Sequence, residues 1–297
     1  MTAKITEHLH DAASGLDARP AAEVAAILAE GQIAAALALR GAVPHLAQAA
    51  GVMARSLRSG GALHYAAAGS SGLMAAADAQ ELGGTFSIPA SQLCIHMAGG
   101  LPTGVEMPGG TEDDTAGLEQ ALSSLTARDT VIAISASGST PYTLTAARIA
   151  KAHEATLIAI ANNAAAPLLA LADYPILLAT PPEVLSGSTR MGTGTAQKIA
   201  LNVLSTLMAV ELGHIHDGMM VNLHADNAKL RDRARRIVVQ IAKVSDDAAS
   251  EALRISEGDV KTAIVMAAKG VSRDAAQAAL DASDGFLRPI LNRPNEP

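Results

Sequence analysis

Aromatic residues are scarce and tryptophan is missing altogether: Phe, Tyr and Trp make up 2% of 297 residues, although 49% are hydrophobic. The core must therefore be built from Ala, Leu, Ile, Val and Met, and the sequence offers no platform for stacking bases or planar cofactors. A single cysteine, Cys94, excludes an internal disulfide and a zinc cluster of thiolates, and fits a reducing compartment. Basic residues are the minority, 22 against 29 acidic for a net charge of −7, which argues against binding a nucleic-acid backbone or gripping an anionic membrane. The opening residues lack a basic patch followed by an apolar core and a cleavage site. No uninterrupted apolar run reaches the roughly 18–20 residues that cross a bilayer. The expected location is the cytoplasm, with neither nucleic acid nor membrane as a partner.

Against these absences stands a regular alternation. The first sixty residues carry apolar positions at helical spacing over 21–39 and 43–57, separated by Gly41 and Pro44. From Gly60 onward, short apolar runs at 63–68, 93–98, 130–136, 156–161 and 174–178 read as buried strands. Helical stretches at 71–82, 113–125, 141–153 and 165–172 lie between them. Repeated β-α order implies an α/β fold, a doubly wound five-stranded parallel sheet with right-handed crossovers. Further helices follow at about 193–212 and 226–243. The tail, about 245–291, reads as three short helices with Asp259 and Ser272 as N-caps and breaks at Gly258, Gly270 and Gly285. The expected division is a helical cap over 1–59, the α/β domain over 60–243 and a small helical domain over 244–297.

Ligands of open parallel sheets sit beyond the carboxyl ends of the strands. The loop after the first strand contains Gly69-Ser70-Ser71-Gly72, and that after the third contains Ser135-Ala136-Ser137-Gly138-Ser139-Thr140-Pro141. Each opens into a helix, so backbone N–H groups, hydroxyls and the positive end of the helix favour an anion. Neither is a Walker A sequence, and the first is no G-x-G-x-x-G fingerprint, so a phosphorylated small molecule suits them better than a nucleotide. A third segment, Ser186 to Thr195, precedes a long helix and adds a cation at Arg190.

These loops, in this order, resemble the sugar isomerase (SIS) phosphosugar-binding domain, and more closely the N-acetylmuramic acid 6-phosphate etherases. The likeness runs through Thr6-Glu7, Asp78-Ala79-Gln80-Glu81, Ala98-Gly99-Gly100, Thr111-Glu112-Asp113, Gly187-Ser188-Thr189-Arg190 and Gly194-Thr195-Ala196-Gln197-Lys198. It continues through Leu201-Asn202-Val203-Leu204-Ser205-Thr206, Asn222-Leu223 and Asn227-Ala228-Lys229-Leu230 into Lys261-Thr262-Ala263. The resemblance implies a flavodoxin-like, SIS-type sheet and phosphosugar contacts at Gly69, Ser70, Ser71, Ser135, Ser137, Gly138, Ser139, Thr140, Ser188, Thr189, Arg190 and Lys198. It implies no cofactor and no metal, and a homodimer with its site near the subunit boundary, to which Glu7 or His10 of a neighbour would contribute.

Glu81 and Glu112 fall where the family has its catalytic pair. The implied reaction removes the carbon 2 proton with Glu112 as base, expels lactate from carbon 3 with Glu81 as acid, and adds water to the enal, one carboxyl group accepting and the other donating. Four cations of the family pattern are replaced by Ala62, Leu73, Ser139 and Gly192, and charge-assisted contacts are worth roughly 1.5–3 kcal/mol each. Aldose–ketose isomerisation and non-catalytic phosphosugar sensing are the alternatives. His214, His216 and His224 have no carboxylate at metal-ligand spacing, and Cys94 is expected to be ordinary core.

Overall fold

The computed structural model describes residues 5–107 and 109–292. Two helices, α1 (Ala21–Leu37) and α2 (Val43–Arg58), precede β1 (Leu63–Ala67). The chain continues through α3 (Gly69–Phe86), β2 (Leu93–Met97), α4 (Leu118–Ala121), β3 (Thr130–Ser135), α5 (Pro141–Ala152), β4 (Thr156–Ala161), α6 (Pro167–Leu171), β5 (Tyr174–Leu177) and α7 (Gly192–Glu211). The five strands are parallel, in the order β2-β1-β3-β4-β5. β1 and β3 are buried at every residue. Both faces of the sheet are covered, which is why these strands read as continuous apolar runs instead of alternating ones.

The alanine-rich composition acts through close packing. On one face Ala66, Ala133 and Ala159 lie beneath Ala146, Ala147 and Ala150 of α5, with Leu118, Leu122 and Leu125 closing the layer. Small residues facing small residues let the helix backbone approach the sheet. The starts of β1 and β3 are pinned by Asp129: Oδ1 accepts from Ala62 N at 2.7 Å, and Oδ2 accepts from Thr126 N at 2.7 Å and Thr126 Oγ1 at 2.8 Å.

All five expected strands are present. The expected helix over 113–125 is not: a 3-10 turn at Thr111–Asp113 is followed by the single turn α4, because Gly117 takes a left-handed conformation at φ 77° immediately before it. The two N-terminal helices differ in burial. α2 buries Leu46, Ala49, Ala50, Met53, Ala54 and Leu57, whereas α1 buries only Ala35. Although Glu23 and Glu30 interrupt it, the stretch Ala21–Arg58 is long and apolar enough by length and composition to cross a bilayer, with 6% of its most apolar window buried. That differs from the reading of uninterrupted runs, since alanine raises the mean hydropathy around two isolated carboxylates.

Contacts gather the chain into two units, one reaching to Gln80 and taking in Ser91–Ser205, the other Glu81–Ala90 with the chain from Thr206 on. The expected boundaries lay at 59/60 and 243/244. Residues 43–58 instead share the sheet's core, and the helix after residue 227 packs with the tail. In this second unit β6 (Ile215–His216) and β7 (Met219–Met220) form a hairpin. Its Asp217-Gly218 turn has φ of 46° and 76°, the Asp-Gly signature of a two-residue turn. Then come α8 (Ala228–Ala242), α9 (Asp246–Ile255), α10 (Val260–Lys269), α11 (Arg273–Asp281) and α12 (Leu287–Leu291). Among the described residues four helices, not three, follow α8, and α10 is buried from Val260 through Met266. Asn227, Ser245, Asp259 and Ser272 each cap a helix by accepting from the amide three residues on.

Candidate functional site

In a sheet of order 2-1-3-4-5 the strand order reverses between β1 and β3, and the crevice beyond their carboxyl ends is where doubly wound proteins hold ligands. The loop after β3 supplies a cluster of hydroxyls. Ser135 Oγ lies 2.8 Å from Thr140 Oγ1 and 3.4 Å from Ser137 Oγ, and Ser137 Oγ accepts from Ser139 Oγ at 3.1 Å and Ser139 N at 3.2 Å. Gly138 N donates to Ser135 Oγ at 3.0 Å. Thr140 is the N-cap of α5, yet its side chain makes no bond to that helix's amides. Gly138 is required on two counts: its φ is +64°, and a Cβ there would collide with the Cβ of Ala166.

The loop after β1 runs straight into α3, whose first residue is Gly69. Ser70 is half-buried and Ser71 buried. Glu112, in the 3-10 turn that follows Gly110, returns to this loop, and a Cβ at Gly69 would stand 2.5 Å from Glu112 Oε1. A carboxylate is thereby placed at the amino end of α3, where the partial positive charge of the helix favours it. Glycine at 69 leaves room for that carboxylate and permits the φ of +54°.

Further along α3, Asp78 turns inward. Its Oδ1 accepts from Asn202 Nδ2 at 3.0 Å and Ser205 Oγ at 2.9 Å, and its Oδ2 accepts from the Tyr65 hydroxyl at 3.2 Å. Burial, and then the Asp78 charge, push the Tyr65 hydroxyl well above the usual phenol range. The residues that the sequence presents as two separate patterns, Asp78 to Glu81 and Leu201 to Thr206, thus hold α3 to α7 through one buried carboxylate. Glu81, less than one turn beyond Asp78, is exposed on α3.

The third loop is built differently from the other two. The amino end of α7 is already occupied by a carboxylate of the same chain: Glu183, 5% exposed, accepts from Gly192 N at 2.9 Å and Thr193 N at 2.7 Å. Ser188 and Thr189 are half-buried in turns ahead of the helix, and Arg190 and Lys198 are exposed. Glu183 has no signal in the sequence, because it caps from nine residues away, beyond the three-residue spacing of a local cap. Asn163 is a second residue that sequence reasoning misses. Its Nδ2 donates to Ala136 O at 3.0 Å and its Oδ1 accepts from Ile5 N at 2.8 Å, so the Thr6-Glu7 segment docks beside the hydroxyl loop of its own chain. Glu7 also reaches the third loop, where Ser186 Oγ donates to Glu7 O at 3.5 Å.

The structure therefore brings together Ser135, Ser137, Gly138, Ser139 and Thr140, and separately seats Glu112 on Gly69. Hydroxyls and a helix amino end suit a phosphoryl group, and a carboxylate beside them suits proton transfer.

This is an α/β protein of the doubly wound class, and residues 111–210 match the SIS domain. Over 288 residues the chain is 42% identical to an N-acetylmuramic acid 6-phosphate etherase of Deinococcus radiodurans, covering 96% of this chain and 94% of that protein. Etherases of Streptomyces avermitilis (38%, 96% and 93%) and Edwardsiella ictaluri (36%, 98% of each) are similar along nearly their whole length. The chain belongs to the N-acetylmuramic acid 6-phosphate etherase family.

Proposed function

We propose that the protein is a carbon–oxygen lyase that cleaves the lactyl ether of N-acetylmuramic acid 6-phosphate, giving N-acetylglucosamine 6-phosphate and D-lactate. The observation that carries this reading is the seating of Glu112 on Gly69, beside the strand whose neighbour bears the hydroxyl cluster. Glu112 takes the carbon 2 proton, and the electron pair forms the carbon 2–carbon 3 double bond. The ether oxygen leaves carbon 3 with that bond's electrons and takes a proton from Glu81. Water then adds at carbon 3, losing its proton to Glu81, and the proton returns from Glu112 to carbon 2. The two carboxyl groups exchange roles within one cycle, as general acid–base chemistry requires.

The phosphate is held by Ser137, Ser139 and Thr140 at the amino end of α5, with Gly69, Ser70 and Ser71 on the other wall and Ser188, Thr189, Arg190 and Lys198 supplying further hydroxyls and charge. The loss of one family cation has a packing reason: a Cβ at Gly192 would lie 3.0 Å from Ala35 Cβ and 3.1 Å from Glu183 Oε2, so this start of α7 has little space for a lysine stem. The protein works in the cytoplasm as a homodimer. Ile33 and Leu37 on α1 are 52% and 48% exposed, and a separate 750 Å³ hollow between Leu9, Leu16, Val24, Leu28 and Leu185 reaches Ser186 beside the third loop. A second copy of the chain covers the Ile33 and Leu37 face of α1.

Lactate release from N-acetylmuramic acid 6-phosphate tests the reading. Wild type releases stoichiometric lactate, and Glu112→Ala falls by at least about 100-fold, the usual contribution of a general base. No release by wild type rejects the activity, and full release by Glu112→Ala rejects the assigned base.

A further inference from the structure

His64, Cys94 and His96 stand on one face of the sheet at its β2 edge. Parallel register pairs His64 with Cys94 and Ala66 with His96, so the alternation of strand side chains puts all three on the face that carries Ala66. His64 Nδ1 and His96 Nε2 are 3.0 Å apart, the two rings are stacked at 5.3 Å with 4° between their planes, and one potential ligand atom from each of the three residues lies within 4.8 Å of the others. His64 is 5% exposed, while Cys94 and His96 are half-buried, leaving the edge open to solvent. Burial pushes both imidazoles down, and for His96 the neighbouring His64 ring adds to burial in bringing it to about 4. Asp129 is the nearby charge felt by His64 and Cys94, but its oxygens are engaged by Ala62 and Thr126.

We propose that His64, Cys94 and His96 form a site for a thiophilic divalent ion, Zn2+, with water as fourth ligand. Tetrahedral zinc with bonds of about 2.05 Å to nitrogen and 2.3 Å to sulfur needs N···N of about 3.3 Å and N···S of about 3.6 Å. The present N···N distance is 3.0 Å and the three ligand atoms span at most 4.8 Å, so side-chain rotation, with no change of strand register, brings them to those spacings. On binding, the ring that carries the shared hydrogen changes tautomer, that proton passing through solvent to its other nitrogen, and the thiol proton leaves to solvent as the thiolate coordinates. His64 and Cys94 are the second residues of β1 and β2 and His96 is the fourth of β2, so the cluster runs along the edge strand, and none of the three belongs to the loops that carry the hydroxyls. Its effect is to fasten the edge strand β2 to β1.

The test uses tag-free, reduced protein dialysed against ZnCl2 and, in parallel, CoCl2. The expected results are one metal per chain, a Kd of about 1 µM or tighter, a raised Tm with zinc, and a thiolate-to-cobalt charge-transfer absorption. Cys94→Ser loses that absorption and His96→Ala binds at least about 30-fold more weakly, roughly 2 kcal/mol, while His214→Ala matches wild type. Retention of less than a tenth of a metal per chain overturns the site. So does a cobalt complex without the thiolate band, or equal affinity in wild type and Cys94→Ser. Because the cobalt spectrum is read on wild type, instability of a variant does not remove the test.

Discussion

Lys261 carries a pH dependence whose sign and size follow from its burial. It lies on α10, 7% exposed, and a Cβ at Gly285 would stand 3.3 Å from its Nζ. Burial lowers its pKa from 10.5 to about 8, against the opposing pull of Asp259. For a base whose folded pKa is depressed, folding disfavours the proton. Well below pH 8 both folded and unfolded chains are protonated and the folded state bears the whole cost. Between about 8 and 10.5 the unfolded chain holds more protons and stability rises with pH. At 1.36 kcal/mol per unit the cost is about 3 kcal/mol at pH 7 and about 1 kcal/mol at pH 9.5. Lys261→Met removes the charge and keeps the apolar stem. Urea unfolding of both proteins should show the variant more stable at pH 7, with its advantage shrinking by about 2 kcal/mol at pH 9.5. Tyr65, whose raised pKa removes stability as pH climbs past the ordinary phenol value, is present in both proteins and cancels. An advantage that does not change with pH, or a destabilised variant at pH 7, refutes the reasoning.

Three further outcomes follow from the geometry. Gly138→Ala, strained at φ +64° and driven against Ala166, should lose about 2–4 kcal/mol of stability and at least about tenfold in lactate release; chemical denaturation and the lactate assay read the two effects. Glu183→Ala strips the amino end of α7 of its acceptor for Gly192 N and Thr193 N and should cost about 2–4 kcal/mol, with Glu183→Gln recovering part of it in the same unfolding assay. Ile33→Lys, at a half-exposed position of α1, should shift sedimentation equilibrium from dimer toward monomer without loss of helicity; an unchanged mass places the subunit boundary elsewhere.

Much of the sheet was legible from local pattern. Strands buried on both faces leave uninterrupted apolar runs, and helices announce themselves by their caps, as Asp259 and Ser272 do. The errors fall where one residue's backbone decides. Gly117 in its left-handed conformation reduced the expected helix at 113–125 to a single turn, and the Asp217-Gly218 turn made a hairpin where none was read. The hydroxyl loop was legible because its ligand-type residues are contiguous in the chain.

Sequence alone determined the strand runs, the family and the contiguous loops, since each is written in neighbouring residues. Tertiary structure decided that Glu112 rests on Gly69, that Glu183 occupies the amino end of α7, that Asp78 joins α3 to α7, and that Cys94 lies beside a pair of imidazoles instead of in plain core. Each of those depends on which distant segments lie side by side, and for Cys94 on strand register, which burial across the whole sheet fixes and no short stretch of sequence contains.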